Sequence, residues 1–239
     1  MRNHLTSAGL NGPDHVEGLM AMANIHAPPV LSVIERTLVR LEIPQPDWKD
    51  RLTAGLLHFL TVKLKLLRAD RQDVTDFEMQ TQCQTQWCWA AVAASISELS
   101  TQSANHKQQC EIANDQLQAQ HGDCCAAMCG TDDAPFNLPG FLSRALDFVN
   151  CERKMFTTKQ SLTKIKKEIR NANPVCVRIR FDGGNEHFVV ISGFRPGNFV
   201  VVRDPALGAD ETSTIEYNEF PGAYQSGASL LNMYFTTRG

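Results

Sequence analysis

Cys88 stands where a cysteine thiol can act as a nucleophile. The run WCWAAVAASISEL, which starts at Trp87, is rich in Ala and other apolar residues and predicts a buried helix with Cys88 in its first turn. The positive end of the helix dipole favours the thiolate form of a cysteine at such a position. Catalysis by a thiolate also needs a base within hydrogen-bond reach and donors for the oxyanion that develops during the reaction.

A base for this thiol is predicted at His187. Of the seven histidines, it alone opens a strongly predicted strand, HFVVISGF, and it follows the Gly-containing loop FDGGNE. The next strand ends at Asp204, so a hairpin of the two strands would bring His187 and Asp204 to the same end. A carboxylate there accepts the second ring N–H and fixes the tautomer of the imidazole. The alternative for Asp204 is a turn-forming role before Pro205, because Asp commonly opens such turns.

A donor for the oxyanion is predicted at Gln82, six residues before Cys88. A side-chain amide on the segment that enters the helix can donate to the oxyanion beside the Cys88 backbone N–H. Gln84 and Gln86 carry the same group and compete for this role on chemistry alone. Ordinary hydrogen bonding within the loop is the alternative for Gln82.

The elements that must position these residues begin with helices. Residues 28–70 carry apolar side chains at helical spacing on both sides of Pro44 and Pro46, which predicts two helices. Downstream of the helix at Cys88, the sequence predicts a Cys-rich, turn-prone stretch over residues 108–137. Two helices are predicted to follow it, over residues 139–150 and 159–172.

The last third of the chain changes to strands. The runs VCVRIRF, HFVVISGF and NFVVVRDP are short, β-branched and separated by Gly, Asn and Pro, which predicts hairpin-linked antiparallel strands, and STIEY and LLNMYFTT are two further candidates. Helices followed by a sheet are typical of the α+β class. We predict an N-terminal helical extension over residues 1–73 and an α+β domain over residues 74–239.

The bulk composition excludes several classes of protein. With 239 residues, 43% of them hydrophobic, the chain can build a sizeable core. A net charge of −3 without a basic block predicts neither nucleic-acid binding nor association with an anionic membrane. No stretch has the apolar length of a membrane span, and the first residues lack the apolar core of a secretory signal.

Seven of the eight cysteines fall between positions 83 and 151. Cys110, Cys124, Cys125 and Cys129 raise the question of zinc, but the spacing lacks two separated CxxC pairs, and adjacent cysteines do not easily face one metal. Disulfides are therefore favoured, with Cys83 and Cys151 as further candidates, and reduced buried thiols are the other alternative. No metal or other cofactor is predicted, and oxidising and reducing compartments both stay open.

These motifs together resemble the papain-like cysteine proteases. The resemblance is carried by Gln82, the run Trp87–Ala91, the strand that begins at His187, and Asp204 with Pro205, and it covers roughly residues 78–237. Within that family the chain is similar to bacterial injected effector proteases of plant pathogens and, more distantly, to the staphopains.

The resemblance implies a papain-like fold with a helical left half, an antiparallel right half and a substrate cleft between them. It also implies a thiolate–imidazolium pair, an oxyanion-hole Gln and peptide hydrolysis through an acyl-enzyme. These roles fall on Cys88, His187 and Gln82. Plant papains have Asn as the third member of the triad, whereas this chain offers Asp204, as related bacterial enzymes do.

The leading hypothesis is a cysteine endopeptidase that cleaves a protein in another cell. Such an enzyme is made in a bacterial cytoplasm, is secreted or injected without a secretory signal, and acts in the target-cell cytoplasm. The target cell is either a rival bacterium or a eukaryotic host. In the first case the producer needs a cognate inhibitor or immunity protein, and in the second the protease is a virulence factor. The extension is a pro-segment, a translocation signal or a partner-binding segment.

Two alternatives use the same residues differently. A deamidase or transglutaminase would apply the same thiol chemistry to side-chain amides, and an inactive scaffold would only bind its partner. The intact set of Cys88, His187 and Gln82 argues against the scaffold.

Overall fold

The computed structural model describes residues 55–63, 70–99, 106–126, 129 and 134–237. The chain divides into two units, Met1–Leu60 and Thr61–Gly239, and all four predicted site residues belong to the second. Residues 55–63, inside the second predicted helix of the extension, are helical. The first predicted helix lies outside the described residues, and the domain boundary at residue 73 stays a prediction.

Among the described residues from 70 onwards, four α-helices precede or interrupt the strands. They are α1 (Cys88–Leu99), α2 (Gln109–His121), α3 (Leu142–Phe148) and α4 (Leu162–Arg170), with a short 3₁₀ helix at Cys124–Ala126. The prediction of a buried helix at Cys88 is confirmed, because every residue of α1 except Glu98 is buried. Its small Ala side chains let neighbouring elements approach from all sides.

The prediction of a turn-prone stretch over residues 108–137 is wrong in its first half, which forms α2. Only Ile112, Ala113 and Leu117 of this helix are buried, so its apolar stripe is narrow and is hidden among Gln and Asn residues. The first turn is stabilised by Glu111, whose side chain accepts the backbone N–H of Gln108 at 2.8 Å.

The strands form one antiparallel sheet. They are β1 (Gln72–Asp73), β2 (Glu152–Phe156), β3 (Val175–Phe181), β4 (Glu186–Arg195), β5 (Phe199–Arg203), β6 (Thr212–Glu216) and β7 (Ala228–Thr236). Their order is β2-β7-β3-β4-β5-β6, and β1 pairs with the second half of β4. The α+β class and all five predicted strands are therefore confirmed. The strand β2 was not predicted, because its Glu-Arg-Lys start is typical of an exposed edge strand.

The strand β4 lies at the centre of the core. Residues Phe188–Phe194 are all buried, and because successive side chains of a strand point to opposite faces, both faces of β4 are covered. Helices α1 and α4 both pack against this strand. The contact with α1 brings the element that carries Cys88 against the element that carries His187. No helix in the described part of the chain is long and apolar enough to cross a bilayer.

One disulfide links the segment before α1 to the Cys-rich stretch, and a second lies within that stretch. They join Cys83 to Cys129 and Cys110 to Cys125, whereas Cys124 and Cys151 are buried thiols, as are Cys88 and Cys176. The described residues contain no group of three His, Cys, Asp or Glu side chains that could hold a metal ion.

Removing a disulfide is expected to lower the stability of the fold. For a closed loop of 15 residues, such as the one between Cys110 and Cys125, the lost chain-entropy constraint corresponds to about 3 kcal/mol. Urea unfolding of the Cys110→Ser/Cys125→Ser variant, without reductant, should show this decrease in the free energy of unfolding. A variant as stable as the parent protein would contradict the assignment of this bond.

Candidate active site

Cys88 is the first residue of α1, and two tryptophans hold it in place. The indole N–H of Trp87 donates to the carbonyl of Phe136 at 2.9 Å, and that of Trp89 donates to the carbonyl of Leu138 at 3.2 Å. Both indoles are buried, and Cys88 itself is 8% exposed. The thiol therefore has a fixed direction at the positive end of the helix dipole.

His187 lies between the thiol of Cys88 and the carboxylate of Asp204. Its Nε2 is 2.6 Å from Asp204 Oδ1, and its ring also hydrogen-bonds the side chain of Cys88. Because Nε2 faces the carboxylate, Nδ1 is the nitrogen that faces the sulfur. The structure thus brings together the three residues for which the sequence predicts a nucleophile, a base and an orienting carboxylate.

Asp204 directly follows β5 and is 2% exposed. Its Oδ1 also accepts the backbone N–H of Ala206 at 2.7 Å, the geometry of an Asx turn. Its Oδ2 accepts the hydroxyl of Tyr224 and the side-chain amide of Gln225. One carboxylate therefore makes both the turn contact considered as the alternative for Asp204 and the hydrogen bond to His187.

These contacts set the charges of the pair. Burial alone would raise the pKa of Asp204, but hydrogen bonds from His187, Tyr224 and Ala206, and the charge of His187, hold that pKa below its ordinary value. Burial alone would lower the pKa of His187, but hydrogen bonds to Asp204 and Cys88, and the charges of these groups, raise it to about 9. The geometry therefore favours an imidazolium next to a carboxylate at neutral pH.

The alkaline limb of the pH–activity profile is expected near pH 9. A thiolate–imidazolium pair needs a protonated His187, and its pKa of about 9 lies above the ordinary 6.5. The stability that the imidazolium contributes should be fully present below pH 6.5 and be lost as the pH rises through about 9. Activity should likewise be lost as the pH rises through about 9. Measurement of kcat/KM for a cleaved peptide between pH 6 and 10.5 checks this, and a decline centred near 6.5 would contradict it.

Gln82 lies beside the same end of the sheet, but its side chain is directed into its own loop. Its backbone N–H donates to the carbonyl of Pro205 at 2.8 Å, next to Asp204. Its side-chain amide donates to the carbonyls of Gln84 at 3.1 Å and Thr85 at 2.8 Å. To donate to an oxyanion, the amide must release one of these bonds, and the role of Gln82 stays a prediction.

The two competing glutamines occupy different environments. Gln84 is buried, and its side chain lines a cavity together with Cys83, Cys110 and Cys124. Gln86 is exposed, and its backbone N–H donates to Asn137.

Two amide side chains that the sequence did not single out for the site hold the loop that contains Gln82. Gln109, the first residue of α2, accepts the backbone N–H of Cys83 at 2.8 Å and donates to the carbonyl of Thr81 at 2.9 Å. Asn137 accepts the backbone N–H of Gln86 at 2.9 Å. The amide of Gln109 thus bonds both neighbours of Gln82, a relation that only the tertiary structure reveals.

A cavity of about 310 Å³ is lined by residues of the loop before α3 and of strands β2, β3, β4 and β7. Its walls include Phe188, which follows His187, and Gly140, which packs against the ring of Trp89, the residue after Cys88. Phe141 and Met155 add apolar surface and Arg178 adds a positive charge. The cavity therefore combines apolar surface with a positive charge, on the side of the sheet opposite to the side chain of His187.

Replacing Gly140 with Ala is expected to disturb this wall and the helix start behind it. A Cβ at Gly140 would lie 2.4 Å from the buried ring of Trp89, so the indole or the loop must shift. Such overpacking costs about 1–3 kcal/mol of stability, and the displaced Trp89 should also lower kcat. Gly183→Ala is the matched control, because nothing lies within 4 Å of a Cβ at that position. Thermal unfolding and activity of both variants test this, and equal behaviour of the two would contradict it.

Comparison with known proteins gives one family match. The model of the Peptidase_C39 like family matches residues 74–229 of the chain. Among solved structures, xylellain, a cysteine protease from Xylella fastidiosa, is similar with 11% identity over 70% of this chain and 86% of its own, at a TM-score of 0.44. The Pseudomonas avirulence protein AvrPphB is similar with 13% identity over 69% of this chain and 99% of its own, at a TM-score of 0.30. No curated protein has significant sequence similarity to the chain.

Proposed function

Because the chain belongs to the Peptidase_C39 like family of papain-like cysteine proteases, we propose that it is an endopeptidase that acts through Cys88, His187 and Asp204. The observation that supports this triad most strongly is the position of the His187 ring, which hydrogen-bonds Asp204 on one side and Cys88 on the other. The buried carboxylate and the fixed tautomer leave Nδ1 of the imidazole to exchange a proton with the sulfur and with the substrate.

The first half of the reaction forms an acyl-enzyme. The thiolate of Cys88 attacks the carbonyl carbon of the scissile peptide, and the resulting oxyanion accepts hydrogen bonds from the Cys88 backbone N–H and the amide of Gln82. The imidazolium of His187 donates its proton to the leaving amine as the C–N bond breaks. The products of this step are the amine, a thioester on Cys88 and a neutral imidazole.

The second half returns the enzyme to its starting state. Neutral His187 takes a proton from a water molecule, which attacks the thioester carbonyl. The C–S bond then breaks, the carboxylic acid leaves, and the thiolate–imidazolium pair is restored. Asp204 stays ionised throughout and stabilises the imidazolium.

The substrate in this proposal is a protein, because the chain belongs to a family of cysteine proteases.

The biological role follows from the resemblance to bacterial effector proteases: an effector or interbacterial toxin delivered into the cytoplasm of a target cell. The two disulfides are consistent with passage through an oxidising environment, which secretion supplies. A producing bacterium then needs a cognate inhibitor that covers the cleft. Toxicity of the wild-type protein, but not of Cys88→Ala, inside a target cell tests this role, and equal toxicity of the two proteins would contradict it.

Mass spectrometry of a treated target proteome tests the reaction. Wild-type protein should create new N-termini that are absent after treatment with the Cys88→Ser variant. A gain of about one dalton on Gln side chains, without new N-termini, is the deamidase result, since an amide and a carboxylic acid differ by that mass. That result would overturn the endopeptidase proposal, and so would new N-termini that do not depend on Cys88.

A further inference from the structure

Asp204 has one carboxylate oxygen that His187 does not use. His187 and the backbone N–H of Ala206 bond Oδ1, at 2.6 and 2.7 Å. The other oxygen, Oδ2, accepts the hydroxyl of Tyr224 and, at 3.2 Å, the side-chain amide of Gln225. Four donors thus surround one buried carboxylate, and two of them come from a single turn between β6 and β7.

We propose that Tyr224 is a positioning residue of the reaction, which acts on His187 through Asp204. This inference rests on the proposed triad. With Oδ2 bonded to Tyr224 and Oδ1 bonded to Ala206, the carboxylate cannot rotate, so its remaining lone pair points at Nε2 of His187. The ring of His187 is held in turn with Nδ1 directed at the sulfur of Cys88.

Tyr224 is itself held from several sides. It is 1% exposed, its backbone N–H donates to the carbonyl of Pro221, and its ring meets that of Phe220 edge-on. The amide of Gln225 donates to the Tyr224 hydroxyl at 3.1 Å as well as to Asp204. Because Tyr224 is fixed in this way, its hydroxyl holds the carboxylate of Asp204 in one orientation.

The hydroxyl of Tyr224 stays protonated and can therefore donate its hydrogen bond to Asp204 at all times. Burial raises the pKa of Tyr224 above its ordinary value, and the hydrogen bond to Asp204 and the negative charge of Asp204 raise that pKa further. The hydroxyl therefore keeps its proton across the pH range in which the enzyme works, and it donates to the carboxylate throughout.

A second buried tyrosine provides the matched control. The hydroxyl of Tyr217 donates to the backbone carbonyl of Gln160, and its side chain is 4% exposed. Tyr217→Phe and Tyr224→Phe therefore remove the same group from equally buried sites, and only the second change touches the carboxylate. Both variants should lose stability, Tyr224→Phe somewhat more because its partner is charged, but only Tyr224→Phe should lose kcat.

The test is a double-mutant cycle of Tyr224→Phe with Asp204→Ala, measured as kcat and KM for a cleaved peptide. Tyr224→Phe should lower kcat by about 10- to 100-fold with KM nearly unchanged, the range for a hydrogen bond to a charged group. In the Asp204→Ala background the same change should alter kcat by less than about twofold, because a residue that acts through Asp204 has nothing left to act on. Tyr217→Phe should keep the parent kcat.

Three results would overturn the inference: an undiminished kcat for Tyr224→Phe, an equal loss for Tyr217→Phe, or additive losses of Tyr224→Phe and Asp204→Ala. Asp204→Ala without any loss of activity would overturn the proposed triad together with the inference. Should Tyr224→Phe fail to fold, Gln225→Ala at an exposed side chain replaces it in the cycle and should show a smaller loss with the same non-additivity.

Discussion

Replacing Cys88 with Ala is expected to lower kcat/KM for peptide hydrolysis by about 10⁴- to 10⁶-fold, the range seen when a catalytic nucleophile is removed. The reason is that no acyl-enzyme forms without the sulfur. The other thiols among the described residues, those of Cys124, Cys151 and Cys176, are buried and cannot take its place. The fold should survive, because Ala keeps the helix propensity and the small volume at the start of α1.

The matched control for this variant is Cys176→Ala. Cys176 is a fully buried thiol on β3, and burial raises its pKa, so it is inert as a nucleophile. Its replacement should cost stability through a small cavity and leave kcat near the parent value. Residual activity above about 1% in Cys88→Ala, or an equal loss in the two variants, would contradict the assignment of the nucleophile.

Replacing His187 with Gln is expected to lower kcat/KM by a similar factor, about 10⁴- to 10⁶-fold. Gln keeps a polar side chain of comparable reach but cannot carry a proton between the sulfur, the leaving amine and water. The buried carboxylate of Asp204 also loses its positive partner, which should lower the stability of the fold by a few kcal/mol, in the range for a broken buried ion pair, about 3–5 kcal/mol.

Non-additivity distinguishes this role from a general loss of structure. The double variant Cys88→Ala/His187→Gln should be no slower than either single variant, because the two side chains act as one unit. His121→Gln, at the end of α2, is the control for the loss of an imidazole elsewhere and should keep full activity. Additive losses, or an active His187→Gln variant, would be incompatible with a thiolate–imidazolium pair.

The sequence predicts the parts of the fold whose apolar pattern is strong. The buried helix at Cys88 and the strands around His187 are recognisable because long runs of Ala or β-branched residues leave few other structures open. Helix α2 and strand β2 escape prediction because the few apolar residues of the first lie among Gln, Asn and Asp side chains and the second is a charged edge strand. Local pattern is most informative where an apolar or β-branched run is long and uninterrupted.

The same limit applies to the site. Cys88, His187 and Asp204 are predictable because helix starts and strand ends are visible in the sequence, and the structure places the three side chains together. Tyr224 and Gln109 are not predictable, because a hydroxyl or amide that supports a reacting group has no local signature. Their roles depend on which backbone or carboxylate the tertiary fold brings within 3 Å.

Alkylation of the folded protein by iodoacetamide, followed by peptide mapping, tests directly whether Cys88 is a thiolate activated by His187. We expect rapid modification of Cys88 at pH 7, slow modification of the buried Cys124, Cys151 and Cys176, and a large decrease in the Cys88 rate in the His187→Gln variant. The loss of peptidase activity should follow the modification of Cys88 in time. Modification of Cys88 at the rate of the other thiols, or full peptidase activity after Cys88 is alkylated, would show that Cys88 is not the nucleophile.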